Sequence, residues 1–133
     1  MKSTVLDASA MLAMFFGQPG MEQMRDLFHK AADADKPMLI SAVNWAEVLY
    51  QMQRKHGKEG WETARRFEHT MPLEVAPLDR DLAESAAQLK NAHDLGLADA
   101  FAAALAKSKK AELVTADIEF KALEKEIKIN WLK

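Results

Sequence analysis

Residues 2–16 of the chain read KSTVLDASAMLAMFF, and this stretch sets the pattern for the rest of the sequence. The run from Lys2 to Leu6 is apolar and β-branched at its centre, which predicts a short strand. The run from Ala8 to Phe16 predicts a helix that begins at once and is stopped by Gly17 and Pro19. A strand that passes directly into a helix is typical of β-α-β units, in which the strands run parallel.

The same alternation of strand and helix continues to the end of the chain. Further strands are predicted at Met38 to Ile40, Leu73 to Ala76, Glu112 to Thr115 and Lys128 to Leu132. Further helices are predicted at Met21 to Ala34, Ser41 to near Gly57, Gly60 to Thr70, Asp79 toward Asn91, Leu97 to Lys109 and Asp117 to Lys125. We therefore expect a three-layer α/β/α fold, with helices on both faces of a mostly parallel five-stranded sheet.

The composition describes one folded domain, and we treat residues 1–133 as that domain. The chain is 49% hydrophobic, and 18 basic against 20 acidic side chains give a net charge of −2. The length suffices for one core and not for two. Because the chain has no cysteine, a disulfide scaffold, a thiolate nucleophile and a cysteine-ligated zinc site are excluded. The near-neutral charge argues against binding nucleic acid by bulk positive charge.

The apolar stretches are too short for a membrane span. The longest, Ala8 to Gly17 and Leu95 to Ala106, fall below the roughly 20 residues that a spanning helix needs. No secretion signal is legible either, because Asp7 interrupts the N-terminal apolar run. We therefore expect a cytoplasmic protein without a membrane partner.

Acidic residues follow two of the predicted strands, at the sheet edge where open α/β proteins hold their ligands. Asp7 comes directly after the first strand, and Asp117 lies two residues after Thr115. Each position is also the usual place of a helix N-cap, so neither residue alone identifies a site. Together they predict two acids on one edge of the sheet.

Asp99 is the only charged residue between Leu95 and Ala106. Burial of an unpaired carboxylate costs several kcal/mol, whereas an acid at the exposed N-terminus of a helix gains less than about 1 kcal/mol. Two interpretations stay open: a functional acid, or an acid that complements the helix dipole. Glu47 is similarly open, because helical periodicity assigns it to the solvated face while its helix follows directly from a strand.

Four converging carboxylates would need a counter-ion. Like charges a few ångströms apart repel, and a hard divalent cation bound by oxygen ligands, Mg²⁺ or Mn²⁺, relieves the repulsion. The histidines are isolated from one another and match no zinc pattern. The chemistry that this predicts is attack of metal-activated water on a phosphodiester.

In order and spacing, four segments of the chain resemble PIN-domain ribonucleases, most closely the VapC-type toxins of bacterial and archaeal toxin–antitoxin pairs. The segments are VLDASA at 5–10, ISAVNWAEV at 40–48, LADAF at 97–101 and TADIEF at 115–120. The resemblance implies the strand order 3-2-1-4-5 and a Mg²⁺- or Mn²⁺-dependent endoribonuclease. It also implies a homodimer and a cognate antitoxin whose C-terminal tail lies across the active site.

The resemblance assigns the catalytic and metal-binding acids to Asp7, Glu47, Asp99 and Asp117. It gives supporting polar roles to Ser9, Asn44 and Thr115. Many relatives end in Thr-x-Asn-x-x-Asp-Phe, whereas residues 115–120 here read Thr-x-Asp-x-Glu-Phe. Asp117 is therefore expected as the fourth ligand, and Glu119 is either a further acid of the site or a solvated helix residue.

Basic residues are candidates for contacts with RNA phosphates. We expect these from Arg54, Lys55, Lys58, Arg65 and Arg66, and Lys107, Lys109 and Lys110 form a second group near a helix C-terminus. Two alternatives to an endoribonuclease stay open. One is a non-catalytic PIN-like module that binds RNA or protein, and the other is a DNA nuclease, since one sequence does not report whether a 2′-hydroxyl is read.

Overall fold

Five short strands form the central sheet of the computed structural model, which describes residues 3–133. The strands are β1 (Thr4–Leu6), β2 (Met38–Ser41), β3 (Leu73–Ala76), β4 (Glu112–Thr115) and β5 (Ile129–Trp131). All neighbouring strands pair in parallel, in the order β3-β2-β1-β4-β5. The predicted fold class and strand order are thus confirmed. Lys2, where the first strand was predicted to begin, lies outside the described residues.

The helices cover both faces of this sheet. They are α1 (Ala8–Phe15), α2 (Met21–Asp33), α3 (Ala42–Thr70), α4 (Arg80–His93) and α5 (Leu97–Lys109), and a short 3₁₀ helix spans Ile118–Leu123. Within the part of the chain that the structure covers, no helix has both the length and the apolar character that crossing a bilayer requires.

Helix α3 contains both of the helices predicted here, from Ser41 to near Gly57 and from Gly60 to Thr70. The two meet at a break at Gly57, whose backbone has φ 66° and ψ −153°. This region of backbone space is open essentially to glycine alone. After the break, Gly60 packs so closely on the preceding helical turn that an added Cβ would lie 2.2 Å from the Met52 carbonyl oxygen. The two glycines therefore allow the second half of α3 to fold close to the first.

The helix predicted from Asp117 to Lys125 is present but shorter. It is the 3₁₀ helix Ile118–Leu123, with Asp117 as its N-cap. Phe120 and Leu123 are both fully buried, and a three-residue spacing matches the period of a 3₁₀ helix. The segment therefore winds more tightly so that both side chains reach the core.

The sheet is buried on both faces, which is why its strands are short apolar runs. On one face Val5 and Leu113 pack against α4 and α5, and on the other Leu6 and Val114 pack against α1, α2 and α3. Helix α5 is rich in buried alanines: Ala100, Ala102, Ala103, Ala104 and Ala106. Small side chains let a helix approach closely, so the first turn of α5 comes near the ends of the central strands.

The strand order reverses at β1, which lies between β2 and β4. Leu6 pairs with Val114 in the β1–β4 register, so Asp7 and Thr115 follow at the same edge. In open parallel sheets, such a switch point opens a crevice beyond the carboxyl ends of the strands. The residues that follow β1 and β4 therefore lie at this crevice.

Candidate functional site

Asp7 stands at the end of β1 and is held by three hydrogen bonds. Its Oδ1 accepts from the Ala10 backbone N–H at 2.9 Å and from the Ser9 hydroxyl at 2.7 Å, and its Oδ2 accepts from the Thr115 hydroxyl at 2.6 Å. The residue is only 2% exposed. Burial raises the pKa of Asp7 from 3.8 to about 6, against the opposing effect of the hydrogen bonds from Thr115 and Ser9. Asp7 is thus the N-cap of α1 and a buried acid at once.

Ser9 and Thr115 connect Asp7 to the segment that carries Asp117. The Ser9 hydroxyl accepts from the Ala116 N–H at 3.0 Å, and the Thr115 hydroxyl accepts from the Asp117 N–H at 2.9 Å. Each hydroxyl therefore donates to the Asp7 carboxylate and accepts from the chain beyond β4. This network fixes the position of Asp7 relative to the backbone of Asp117, although the two residues are far apart in sequence.

Asp99, Asp117 and Glu119 form a close group, which we call the acid cluster. One carboxylate oxygen from each of the three lies within 4.8 Å of the other two. Asp99 is in the first turn of α5, and Asp117 caps the 3₁₀ helix by accepting from the Glu119 N–H at 3.0 Å. The structure thus brings Glu119 beside Asp99 and Asp117.

The surroundings of Asp99 favour its protonated form. Burial, the negative charge of Asp117 and hydrogen bonds with Asp117 and Glu119 together raise the pKa of Asp99 to about 8. The charge of Asp7 acts in the same direction. Without a cation nearby, Asp99 therefore keeps its proton at neutral pH.

Glu47 lines the same cleft without joining the acid cluster. The cleft has a volume of about 310 Å³ and is lined by Asp7, Glu47, Asp99 and Asp117 among others. Among the described residues, the carboxylates within 4.8 Å of one another do not include that of Glu47. Periodicity assigned Glu47 to the solvated face of its helix, and that face of α3 borders the cleft.

Asn44 lies beside the acids and connects two helices. Its side chain accepts a short hydrogen bond from the Ser41 hydroxyl, and its Nδ2 donates to the Ala98 carbonyl at 3.2 Å. Asn44 is buried, and Ala98 directly precedes Asp99. Asn44 therefore ties the start of α3 to the turn of α5 that carries Asp99.

The predicted basic residues are spread along α3. Lys55 comes nearest to the cleft, because its Nζ lies 4.2 Å from the ring centre of Phe16, a cleft residue. Arg54 donates to the Tyr50 hydroxyl at 2.9 Å. Lys58 approaches Glu62 at 3.9 Å, and Arg65 and Arg66 are exposed beyond the break at Gly57.

Five further residues line the cleft that sequence reasoning did not assign to a site: Ala8, Leu12, Phe16, Gln18 and Gln51. A signal existed for Gln51, since it lies four residues after Glu47 and so on the same helical face. No comparable signal existed for Phe16 and Gln18, because they lie at the end of α1 and in the turn after it. Their position depends on how that turn sits against α3.

The donor set fits a hard divalent cation. The acid cluster offers only carboxylate oxygens, and Asp7 and Glu47 add two more carboxylates to the same cleft. Oxygen-only ligands suit Mg²⁺ or Mn²⁺ better than zinc or copper.

The sequence matches the family model described as PIN domain over residues 4–126. This match confirms the resemblance that the four segments carry. None of the curated proteins compared with the chain matches it in sequence.

Solved structures from three bacteria have the same fold. A chain of the DNA-bound VapBC from Salmonella typhimurium is 22% identical, with a TM-score of 0.77 over 98% of both chains. A chain of a toxin–antitoxin complex from Klebsiella pneumoniae is 22% identical, with a TM-score of 0.72 over 96% of both chains. VapC20 from Mycobacterium tuberculosis, described as a sarcin–ricin loop cleaving toxin, is 22% identical, with a TM-score of 0.68 over 90% of this chain and 94% of that one. At these identities the similarity establishes a common fold.

Proposed function

The chain belongs to the PIN domain family, and we propose that it is an endoribonuclease that hydrolyses RNA phosphodiester bonds with the help of a divalent metal ion. The observation that carries this proposal is the acid cluster, two of whose members, Asp99 and Asp117, line an open cleft together with Asp7. PIN domains are nucleases that generally use such an ion. An RNA target is consistent with action in the cytoplasm.

Mg²⁺ or Mn²⁺ would be held by Asp99 and Asp117, and the other candidate oxygen donors are Glu119 of the acid cluster and Asp7 and Glu47 of the cleft lining. When bound, such an ion activates water as a nucleophile and neutralises charge on the phosphate. The pKa of Asp99 is raised by burial and by the negative charges of Asp117 and Asp7, and this supports the assignment because a cation would offset both effects.

The protein's own groups have distinct roles in this proposal. Three hydrogen bonds hold the Asp7 carboxylate in one orientation, so it is ready to bind without reorganisation. Among the residues described, none donates a hydrogen bond to the Glu47 carboxylate. Glu47 is therefore available to take the proton from the attacking water. Asn44 acts by positioning the turn that carries Asp99.

The basic side of α3 would bring RNA to an otherwise acidic cleft. Lys55 lies over the ring of the cleft residue Phe16, and Arg54, Lys58, Arg65 and Arg66 are exposed on the same helix. Such side chains attract the phosphate backbone, which the acid cluster alone repels.

We propose further that the chain is the toxin of a toxin–antitoxin pair. The proteins with which it shares its fold include a toxin–antitoxin complex and a sarcin–ricin loop cleaving toxin. A cognate antitoxin protein is therefore the expected partner, and a homodimer is the expected assembly of the toxin itself.

The test is cleavage of a mixed structured RNA by the purified chain in Mg²⁺ or Mn²⁺, with EDTA as the metal-free control. Asp99→Asn is the test variant. Asp94→Asn is its control, because it makes the same chemical change at an exposed residue that caps α4 in a left-handed conformation, which asparagine also tolerates. We expect the wild-type chain and Asp94→Asn to cleave the RNA when Mg²⁺ or Mn²⁺ is present. We expect Asp99→Asn to fold but not to cleave it.

The other outcomes separate the alternatives. Cutting of single-stranded DNA of the same sequence without cutting of the RNA would make the chain a DNA nuclease. Absence of cutting together with absence of metal binding by calorimetry would indicate a non-catalytic module. Cutting that survives EDTA or Asp99→Asn would overturn the proposed mechanism.

A further inference from the structure

The cleft has a second wall whose chemistry differs from that of the acids. Leu12 and Phe16 come from α1 and its end, Gln18 from the turn that follows, and Gln51 from α3. All four are uncharged, and we call them the neutral wall. A metal-dependent attack on a phosphodiester needs the acids, and it makes no use of two amides, an aromatic ring and a leucine.

We propose that the neutral wall binds one unpaired nucleobase next to the cleaved bond, and that Gln18 and Gln51 select which base it is. This inference rests on the proposed endoribonuclease function. It adds to that function the residues that determine where along an RNA the chain cuts.

Phe16 and Leu12 supply the apolar surface that a base needs. Both are partly buried and still line the open cleft, so each presents part of its side chain to a ligand there. Proteins bind unpaired bases by stacking them on aromatic side chains, and this requires a base that is not stacked in a duplex. The wall therefore favours single-stranded segments.

Lys55 supplies the charge that a nucleotide needs beside its base. Its ammonium lies 4.2 Å from the ring centre of Phe16, and its side chain is exposed. When a base stacks on the Phe16 ring, the Lys55 ammonium is placed to attract the phosphate of the same nucleotide. Apolar surface and positive charge thus meet at one residue pair of the cleft that the acids also line.

Gln18 and Gln51 supply the means of discrimination. Each amide carries a donor and an acceptor, and this pair of groups can match the edge of one base and mismatch another. Within the described part of the chain, neither side-chain amide has a hydrogen-bonding partner. Gln51 is also in the helical face that carries Glu47, so a base that it contacts lies close to the acids.

The experiment maps cleavage positions in a single-stranded RNA pool of randomised sequence, with the purified chain in Mn²⁺. We expect the wild-type chain to prefer one base at one position beside the cut. Gln18→Ala and Gln51→Ala should each relax that preference about tenfold. Gln53→Ala is the matched control, because Gln53 is exposed on the same helix and lies outside the cleft lining, and it should keep the wild-type preference.

A second variant tests the stacking surface. Phe16→Leu keeps an apolar side chain of similar size and removes the ring, so we expect it to fold and to raise KM about fivefold or more. An unaltered base preference in both glutamine variants, or no preference in the wild-type chain, would overturn the inference and leave the nuclease function standing. A wild-type chain that cuts no RNA would instead overturn the nuclease function, and the inference with it.

Discussion

The hydroxyl of Thr115 donates a 2.6 Å hydrogen bond to Oδ2 of Asp7, across 108 positions of sequence. The two residues follow adjacent parallel strands, and the bond is buried. The same Thr115 oxygen accepts from the Asp117 N–H. The Thr115 hydroxyl therefore orients the carboxylate of Asp7, at the end of β1, and the backbone of Asp117, beyond β4. This single side chain connects the two acids.

Thr115→Val should impair both stability and catalysis. Valine has the same shape but leaves an Asp7 oxygen and the Asp117 N–H without their partner, which costs about 1–3 kcal/mol for a buried group. The pKa of Asp7 should rise above about 6, because the hydrogen bond from Thr115 favours the ionised form. Urea unfolding and the pH profile of RNA cleavage check this. An unshifted acidic limb of the profile would contradict it.

The metal-free protein should lose stability as the pH rises from 5 to 9. The pKa values of Asp7 and Asp99 in the folded chain, about 6 and about 8, lie above the ordinary 3.8. The folded state therefore holds protons that the unfolded state releases, and its advantage is lost as pH rises through the folded values. Thermal unfolding in EDTA measures this. In Asp99→Asn the melting temperature should fall less between pH 7 and pH 9 than in the wild-type chain. A melting temperature that rises with pH would contradict the expectation.

Mn²⁺ should reverse that trend. Ligand carboxylates must be ionised to bind a cation, so added Mn²⁺ should raise the melting temperature more at pH 8 than at pH 6. At about 100 times its dissociation constant a ligand stabilises by about 2.7 kcal/mol. The increase should be absent in Asp117→Asn and present in the control Asp94→Asn. An equal increase in both variants would place the ion elsewhere.

Glu119→Gln should weaken metal binding about tenfold, which is the scale of losing one carboxylate or supporting group at a metal site. The reason is that its carboxylate lies in the acid cluster with Asp99 and Asp117. Glu59→Gln is the control, since Glu59 is exposed on α3. Calorimetric titration with Mn²⁺ compares the two. Wild-type affinity in Glu119→Gln would make Glu119 a solvated residue of the 3₁₀ helix.

Gly57→Ala and Gly60→Ala should each destabilise the chain by about 1–3 kcal/mol. Gly57 has a backbone conformation essentially restricted to glycine, and a Cβ on Gly60 would overlap the Met52 carbonyl. Lys58→Ala, at an exposed position between them, should change stability little. Urea unfolding of the three variants tests the tight packing of the two halves of α3. Wild-type stability in Gly60→Ala would show that these halves can separate freely.

The sequence by itself determined the layers of the fold and the acids that follow its strands. Short apolar runs between amphipathic helices specify a parallel sheet, and Asp7 and Asp117 follow strand ends, where parallel strands meet at one edge. Asp99 was visible because burial of a lone carboxylate is costly. These inferences use only local periodicity and the energetics of single residues.

Only the tertiary structure decided what faces those acids across the cleft. Periodicity shows that Glu47 points away from the core of its own helix, but it does not show that this side borders the cleft. Glu119 joins Asp99 because Phe120 and Leu123 draw the segment into a 3₁₀ turn, and Phe16 and Gln18 reach the cleft through the turn after α1. Such placements depend on contacts between residues far apart in sequence, which no local pattern encodes.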